Sequence, residues 1–230
     1  DAPPRFTFPV EETLAALESA SGLILCHPSN PLGCAIPMDA LRRLADAAQE
    51  RNIPCIVDEA YVEFCGGSVV GLVSSHDTLI AVRTFSKAFG LAGARLGYVL
   101  AAPAMVHALL ALRPPWAVNH FAVQAGLAAL AESGRMPAVR ESADRVRSTL
   151  AAGLQAQGQT VYDTDTNFLI VRTDDAAETV ARMRTRGILV SAMHGYPFDH
   201  GLLDNTVRVS LPREADVSRV LDAFNSDNSS

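Results

Sequence analysis

Ile53-Pro54-Cys55-Ile56-Val57-Asp58-Glu59-Ala60-Tyr61 is a short apolar run that ends in two carboxylates and a phenol. Its length and its β-branched residues predict a buried strand. Two further runs of the same kind flank it. Leu23-Ile24-Leu25-Cys26 lies upstream and ends in the loop His27-Pro28-Ser29-Asn30-Pro31-Leu32-Gly33; Thr78-Leu79-Ile80-Ala81-Val82-Arg83 lies downstream and runs into Thr84-Phe85-Ser86-Lys87. Between the first two, Pro37 to Asn52 carries Leu41, Leu44, Ala45 and Ala48 at helical spacing. Apolar strands with a helix between them predict an α/β fold around a largely parallel sheet, covered on both faces. Leu96-Gly97-Tyr98-Val99-Leu100 is strand-like again, and Val10 to Ser19 predicts a short leading helix.

Beyond Pro114-Pro115 the pattern changes. Trp116 to Glu132 and Met136 to Gln157 predict two long helices. Strands are expected at Thr160–Asp163, Asn167–Arg172, Ile188–Ala192 and Val207–Leu211, with helices at Ala176–Arg186 and Glu214–Phe224. This is an α+β pattern. It divides the chain into 1–115, 116–226 and a polar tail, 227–230, that is expected to fray.

The bulk properties exclude several classes. Of 230 residues, 49% are hydrophobic and 19% charged, so the chain can fold around a core and is not disordered. No apolar run reaches the length of a membrane span. The net charge of −6 argues against a nucleic-acid partner. The opening Asp1-Ala2-Pro3-Pro4-Arg5 lacks the basic start and apolar stretch of a signal peptide. Cys26, Cys34, Cys55 and Cys65 form no C-x-x-C pair and match no zinc spacing, so they are expected as reduced, mostly buried thiols of a cytoplasmic protein, with no metal.

In an open parallel sheet, ligands bind beyond the carboxyl ends of the strands. Those ends offer Asn30, then Asp58 and Tyr61, then Lys87. Each has an ordinary explanation alone: a turn amide, a cap, core packing, a solvated amine. Together they suggest a site. Lys87 is flanked by Ala88, Phe89 and Leu91; an apolar enclosure would favour the neutral amine, a nucleophile toward carbonyls. Thr84, Ser86 and Arg95 suit a phosphate. A cofactor with an aldehyde and a phosphate is pyridoxal 5′-phosphate, and Asp58 is the candidate partner for its ring nitrogen.

The ordered motifs His27-Pro28-Ser29-Asn30-Pro31-Leu32-Gly33, Val57-Asp58-Glu59-Ala60-Tyr61 and Thr84 through Tyr98 resemble the class I/II aminotransferases of the aspartate aminotransferase fold. Within them the chain is most similar to histidinol-phosphate aminotransferases and threonine-phosphate decarboxylases. Pro115 to Asn119 and Val207 to Leu211 fit that branch, and the resemblance extends from Leu23 to Phe224. It implies the type I fold of pyridoxal-phosphate-dependent transferases: part of a large parallel-sheet cofactor domain, plus a C-terminal α+β small domain. By resemblance, Lys87 carries the Schiff base and is the catalytic residue. Asp58 pairs with the ring nitrogen, Asn30 and Tyr61 hold the phenolic oxygen, and Thr84, Ser86 and Arg95 hold the phosphate. Arg208 binds the substrate's carboxylate or phosphate, and Asn119 lines the substrate side. The alternation of Val207, Arg208, Val209 and Ser210 alone would equally fit Arg208 as a surface residue.

The resemblance further implies amino transfer between an amino acid or amino-phosphate and a 2-oxo acid, in amino-acid biosynthesis, by a cytoplasmic homodimer. Two other readings are decarboxylation of a phospho-amino acid on the same scaffold and a non-catalytic fragment of such an enzyme. The match begins inside the cofactor domain, so the family's N-terminal arm, first strands and phosphate-cradling Gly/Ser turn are expected to be missing. Ser191 stands where histidinol-phosphate enzymes carry an arginine for the substrate phosphate. The segment Met193 to Phe198 either reshapes the specificity pocket or is an ordinary loop.

Overall fold

A computed structural model of the protein describes residues 4–132, 134–195 and 201–225. The expected 227–230 tail and residues 196–198 of the candidate specificity segment lie outside them. The chain forms two compact units, one spanning Thr7–Val139 and the other Arg140 onward together with residues 4–6.

The first unit is built on a four-stranded sheet in the order β1-β2-β3-β4: β1 Leu23–Cys26, β2 Cys55–Asp58, β3 Leu79–Thr84 and β4 Gly97–Ala101. β1, β2 and β3 are parallel, with Cys26 beside Asp58 and Asp58 beside Val82; β4 is antiparallel to β3. The crossover between β1 and β2 carries the helix α2, Met38–Glu50, while α1, Val10–Ala16, precedes the sheet. Alternation along the strands sorts the residues by face. Leu23, Leu25, Cys55, Val57, Leu79 and Ala81 pack with Leu41, Leu44, Ala45 and Ala48 of α2 in one core. Fully burying one such leucine contributes about 1.5–3 kcal/mol. The opposite face is less covered than expected, because Ile24 is 76% exposed.

Two helices follow β4: α3, Pro103–Leu112, and α4, His120–Ala131. The expected helix from Trp116 starts instead at His120. Asn119 has extended backbone and its side chain accepts the Ala122 N–H, which caps α4; Trp116 sits at φ 60. α4 approaches the turn after β3 through Gly126, where a Cβ would stand 2.5 Å from Leu96 and 3.5 Å from Phe85. That close approach keeps α4 with the first sheet. The two units divide after Val139, within helix α5, Arg135–Ala156.

The second unit holds an antiparallel sheet in the order β5-β6-β8-β7: β5 Thr160–Tyr162, β6 Phe168–Arg172, β7 Ser191–Ala192 and β8 Thr206–Ser210. α6, Ala176–Thr185, and α7, Val217–Phe224, complete it. The core joins Val146, Leu150 and Leu154 of α5 to Leu169, Val171, Val207 and Val209 of the sheet and to Phe224 of α7. Asp175 caps α6 by accepting the Glu178 N–H. Arg186 donates to the carbonyls of Asp222, Ala223 and Asn225 at the end of α7. Residues 4–6 pair with this unit: Asp163 N–H donates to the Pro4 carbonyl, Phe6 stacks on Tyr162, and Arg5 bridges Asp163 and Asp165.

Candidate active site

The carboxyl ends of the three parallel strands of the first unit carry most of the candidate residues. Asp58 is half-buried at the end of β2, and its Oδ1 accepts the Ala60 N–H at 3.0 Å. Its backbone carbonyl accepts the His27 N–H at 2.8 Å, tying it to the loop after β1. The peptides His27–Pro28 and Asn30–Pro31 in that loop are cis, and Asn30 is exposed. The loop is anchored by the buried His27 ring. Nδ1 accepts the Ile36 N–H at 3.0 Å, and Nε2 lies 3.2 Å from the Gly67 carbonyl.

Tyr61 follows β2 and is 2% exposed. Lys87 Nζ stands 5.3 Å from the centroid of its ring, within range of a cation–π contact. The turn after β3 is internally bonded: Thr84 Oγ1 lies 3.0 Å from Ser86 Oγ and accepts the Ser86 N–H at 3.1 Å. Phe85, Ala88 and Phe89 point inward and leave Lys87 outside. The apolar enclosure expected of Lys87 is therefore not found. Its neighbours in sequence take the buried positions, and the amine is exposed. Arg95 is exposed, has left-handed backbone at φ 53, and donates to the Ala92 carbonyl.

Asp58 and Thr84 share one face of the sheet, because Asp58 pairs with Val82 and Thr84 lies two residues further along β3. The first unit thus groups an amide, a carboxylate, a phenol, two hydroxyls and an amine near three adjacent strand ends. Asn119 lies in the same unit as the cap of α4. Arg208 belongs to β8 of the second unit, half-buried over the Phe168 ring at 4.4 Å and opposite Ile170 and Ser191 in the sheet.

A buried ion pair lies behind this group. Glu59 is fully buried, and its carboxylate accepts from Val69 N–H, Ser68 Oγ and Arg83 Nε. The motif reading used only the first of the two carboxylates ending β2. The signal for the second was a long cation, Arg83, at the matching end of the neighbouring strand. Among the described residues no disulfide joins the cysteines; Cys26 is half-buried and Cys34, Cys55 and Cys65 are buried. Burial pushes the Cys55 thiol up to about 11. Among the described residues, no helix is long and apolar enough to cross a membrane.

The sequence profile of the family described as aminotransferase class I and II matches residues 1–224. The chain belongs to this family. The histidinol-phosphate aminotransferase of Roseobacter denitrificans is 32% identical over 224 residues, which cover 95% of this chain and 61% of that protein. The chain thus spans about three fifths of the length of this curated relative. Among solved structures, the histidinol-phosphate aminotransferase of Sinorhizobium meliloti in complex with pyridoxal-5′-phosphate superposes with a TM-score of 0.84 at 29% identity, covering 95% of this chain and 61% of that one. The L-threonine-O-3-phosphate decarboxylase of Porphyromonas gingivalis shares the fold, with a TM-score of 0.79 at 24% identity over 94% of this chain and 68% of that one. The architecture is that of the type I pyridoxal-phosphate-dependent transferases, with the mixed sheet of the first unit as part of the large domain.

Proposed function

We propose that the protein is a pyridoxal-phosphate-dependent aminotransferase, moving an amino group between an amino acid or amino-phosphate and a 2-oxo acid. The observation that carries this reading is the grouping of Asp58, Tyr61, Thr84, Ser86 and Lys87 near neighbouring strand ends of one sheet, in a member of the aminotransferase family. The donor set fits the cofactor chemically. It holds one amine for an aldehyde, one carboxylate for a protonated ring nitrogen, and hydroxyls already preorganised on one turn for a phosphate.

When bound, pyridoxal phosphate supplies an electron sink for negative charge at the substrate's Cα. The chain's own residues do the rest. Asp58 would accept a hydrogen bond from the ring nitrogen and keep it protonated. Asn30 and Tyr61 would bind the phenolic oxygen, while Thr84, Ser86 and Arg95 would bind the phosphate. Lys87, exposed and able to reach a bound ligand, would take the proton from the substrate's Cα. Arg208 would grip the substrate's carboxylate as a planar fork, and Asn119 would line the substrate side. The same reading makes the whole protein a cytoplasmic homodimer serving amino-acid biosynthesis.

The test is pyridoxal phosphate uptake followed by borohydride reduction and peptide mapping. A single label on Lys87 is expected, with amine transfer to a 2-oxo acid in the product assay. Because Lys87 is the only lysine of the sequence, the label must also be stoichiometric and saturable; labelling that does not saturate, or that falls equally on the N-terminal amine, would refute the site. Carbon dioxide release without amine transfer would replace the reaction with decarboxylation.

A further inference from the structure

Glu59 and Arg83 form the most enclosed ion pair among the described residues, with the Glu59 side chain at 0% and the Arg83 side chain at 20% exposure. Their strands explain what the pair is placed to do. Glu59 follows Asp58 directly, and Arg83 directly precedes Thr84. Because side chains alternate along a strand, Glu59 and Arg83 share the sheet face opposite to Asp58 and Thr84. The ladder continues to this point, since Glu59 N–H donates to the Val82 carbonyl at 2.8 Å.

The guanidinium is fixed in several directions. Nε donates to Glu59 Oε2 at 2.9 Å and Nη2 donates to Ser68 Oγ at 2.7 Å, while Tyr98 is its cross-strand neighbour on β4. Ser68 in turn donates to the same Glu59 oxygen at 3.0 Å, and the other Glu59 oxygen accepts the Val69 N–H at 2.7 Å. Burial opposes the charge on Arg83, and the interactions with Tyr98 and Glu59 more than offset it. A buried ion pair of this kind is a weak stabiliser against an apolar replacement, whereas removing one partner leaves the other charge buried and uncompensated.

We propose that Glu59 and Arg83 are positioning residues that clamp the ends of β2 and β3 from behind and thereby set the placement of Asp58 and the Thr84–Ser86 turn. The inference rests on the aminotransferase reading for its consequence, and on the hydrogen-bond geometry alone for the clamp.

The test uses the full chain with Arg83→Lys, which keeps the charge but loses the fork. The double variant Glu59→Gln/Arg83→Met removes both charges and leaves neither buried alone, so it covers the case in which the single variant does not fold. Amide hydrogen exchange reads the clamp without any ligand. The Ala60 and Ser86 amides, held by Asp58 and Thr84 side chains, are expected to exchange about tenfold faster, while Leu25 and Val57 amides keep their rates. Unchanged Ala60 and Ser86 rates, or a uniform rise across the sheet, would overturn the clamp. With pyridoxal phosphate, the variants are expected to bind about tenfold more weakly. The pH midpoint of the bound cofactor's visible absorbance should also move. Unaltered affinity and midpoint would overturn the proposal. No uptake by the unsubstituted chain would instead overturn the aminotransferase reading, and the exchange rates would still decide the clamp.

Discussion

The Lys87 amine lies over the ring of Tyr61, 5.3 Å from its centroid, with the amine exposed and the ring buried. The ring is therefore both core and floor. Tyr61→Phe keeps the floor and is expected to alter stability by less than about 1.5 kcal/mol while weakening pyridoxal phosphate binding up to about tenfold, the scale of one hydrogen bond. Tyr61→Ala is expected to cost about 3–5 kcal/mol by opening a cavity. Urea denaturation and cofactor titration of the two variants separate these effects.

Gly97 is where β4 meets the end of β3. A Cβ there would stand 2.7 Å from the Arg83 carbonyl oxygen, which is backbone and cannot swing aside. Gly97→Ala is expected to destabilise the protein by about 1–3 kcal/mol. It should also disturb the Thr84–Ser86 turn, visible as altered amide shifts of Ser86.

Asn119 caps α4 through the Ala122 N–H at 2.8 Å. Removing the cap with Asn119→Ala is expected to cost about 1 kcal/mol, and Asn119→Ser is expected to restore most of it. Thermal melts of both variants check this. A Michaelis constant that rises in both, with stability recovered only in the serine variant, would support its second role at the substrate.

Burial pushes the Glu63 carboxyl above its usual range, and its Oε2 is enclosed with no hydrogen-bond partner. With the folded value above the unfolded one, folding is opposed once pH rises past the unfolded value, and the penalty is complete above the folded value. Glu63→Gln is expected to remove that pH-dependent loss. Melting temperatures of the variant and parent should converge in acid and diverge toward neutral pH, the variant being the less pH-sensitive of the two.

The guanidinium carbon of Arg208 stands over the Phe168 ring, 4.4 Å from its centroid. A lysine would keep the charge and lose both the planar fork and much of the stacking. Arg208→Lys is expected to raise the Michaelis constant for the carboxylate substrate about tenfold or more, with a smaller change in turnover. Steady-state kinetics with both substrates varied would measure this.

The strands and their chemical ends were legible in the sequence because each is a compact apolar run that stops at a polar residue, as at His27, Asp58 and Arg83-Thr84. Helix α3 was not, since Pro103–Leu112 has almost no amphipathic pattern, and only Pro103 at its first turn marked it. The start of α4 was misplaced because Trp116 to Val118 are apolar yet exposed, Trp116 at 96%. Lys87 shows the limit of reading neighbours along the chain. Apolar residues on both sides did not enclose it, because their side chains turn inward and its own does not. The Glu59–Arg83 pair was missed for a related reason: its partners are far apart in the chain and meet through sheet register.

Asp58 and Glu59 are chemically similar acids one residue apart, facing opposite sides of the same sheet. A one-residue slip of β2 would turn each acid to the other face: in one direction Glu59 takes the place of Asp58, in the other Asp58 comes opposite Arg83, and in neither do both positions keep an acid. Deleting or inserting a single residue between Ile53 and Asp58 would thus leave the composition nearly unchanged and turn both carboxylates to the wrong faces. For engineering, this strand tolerates substitution far better than any change of length.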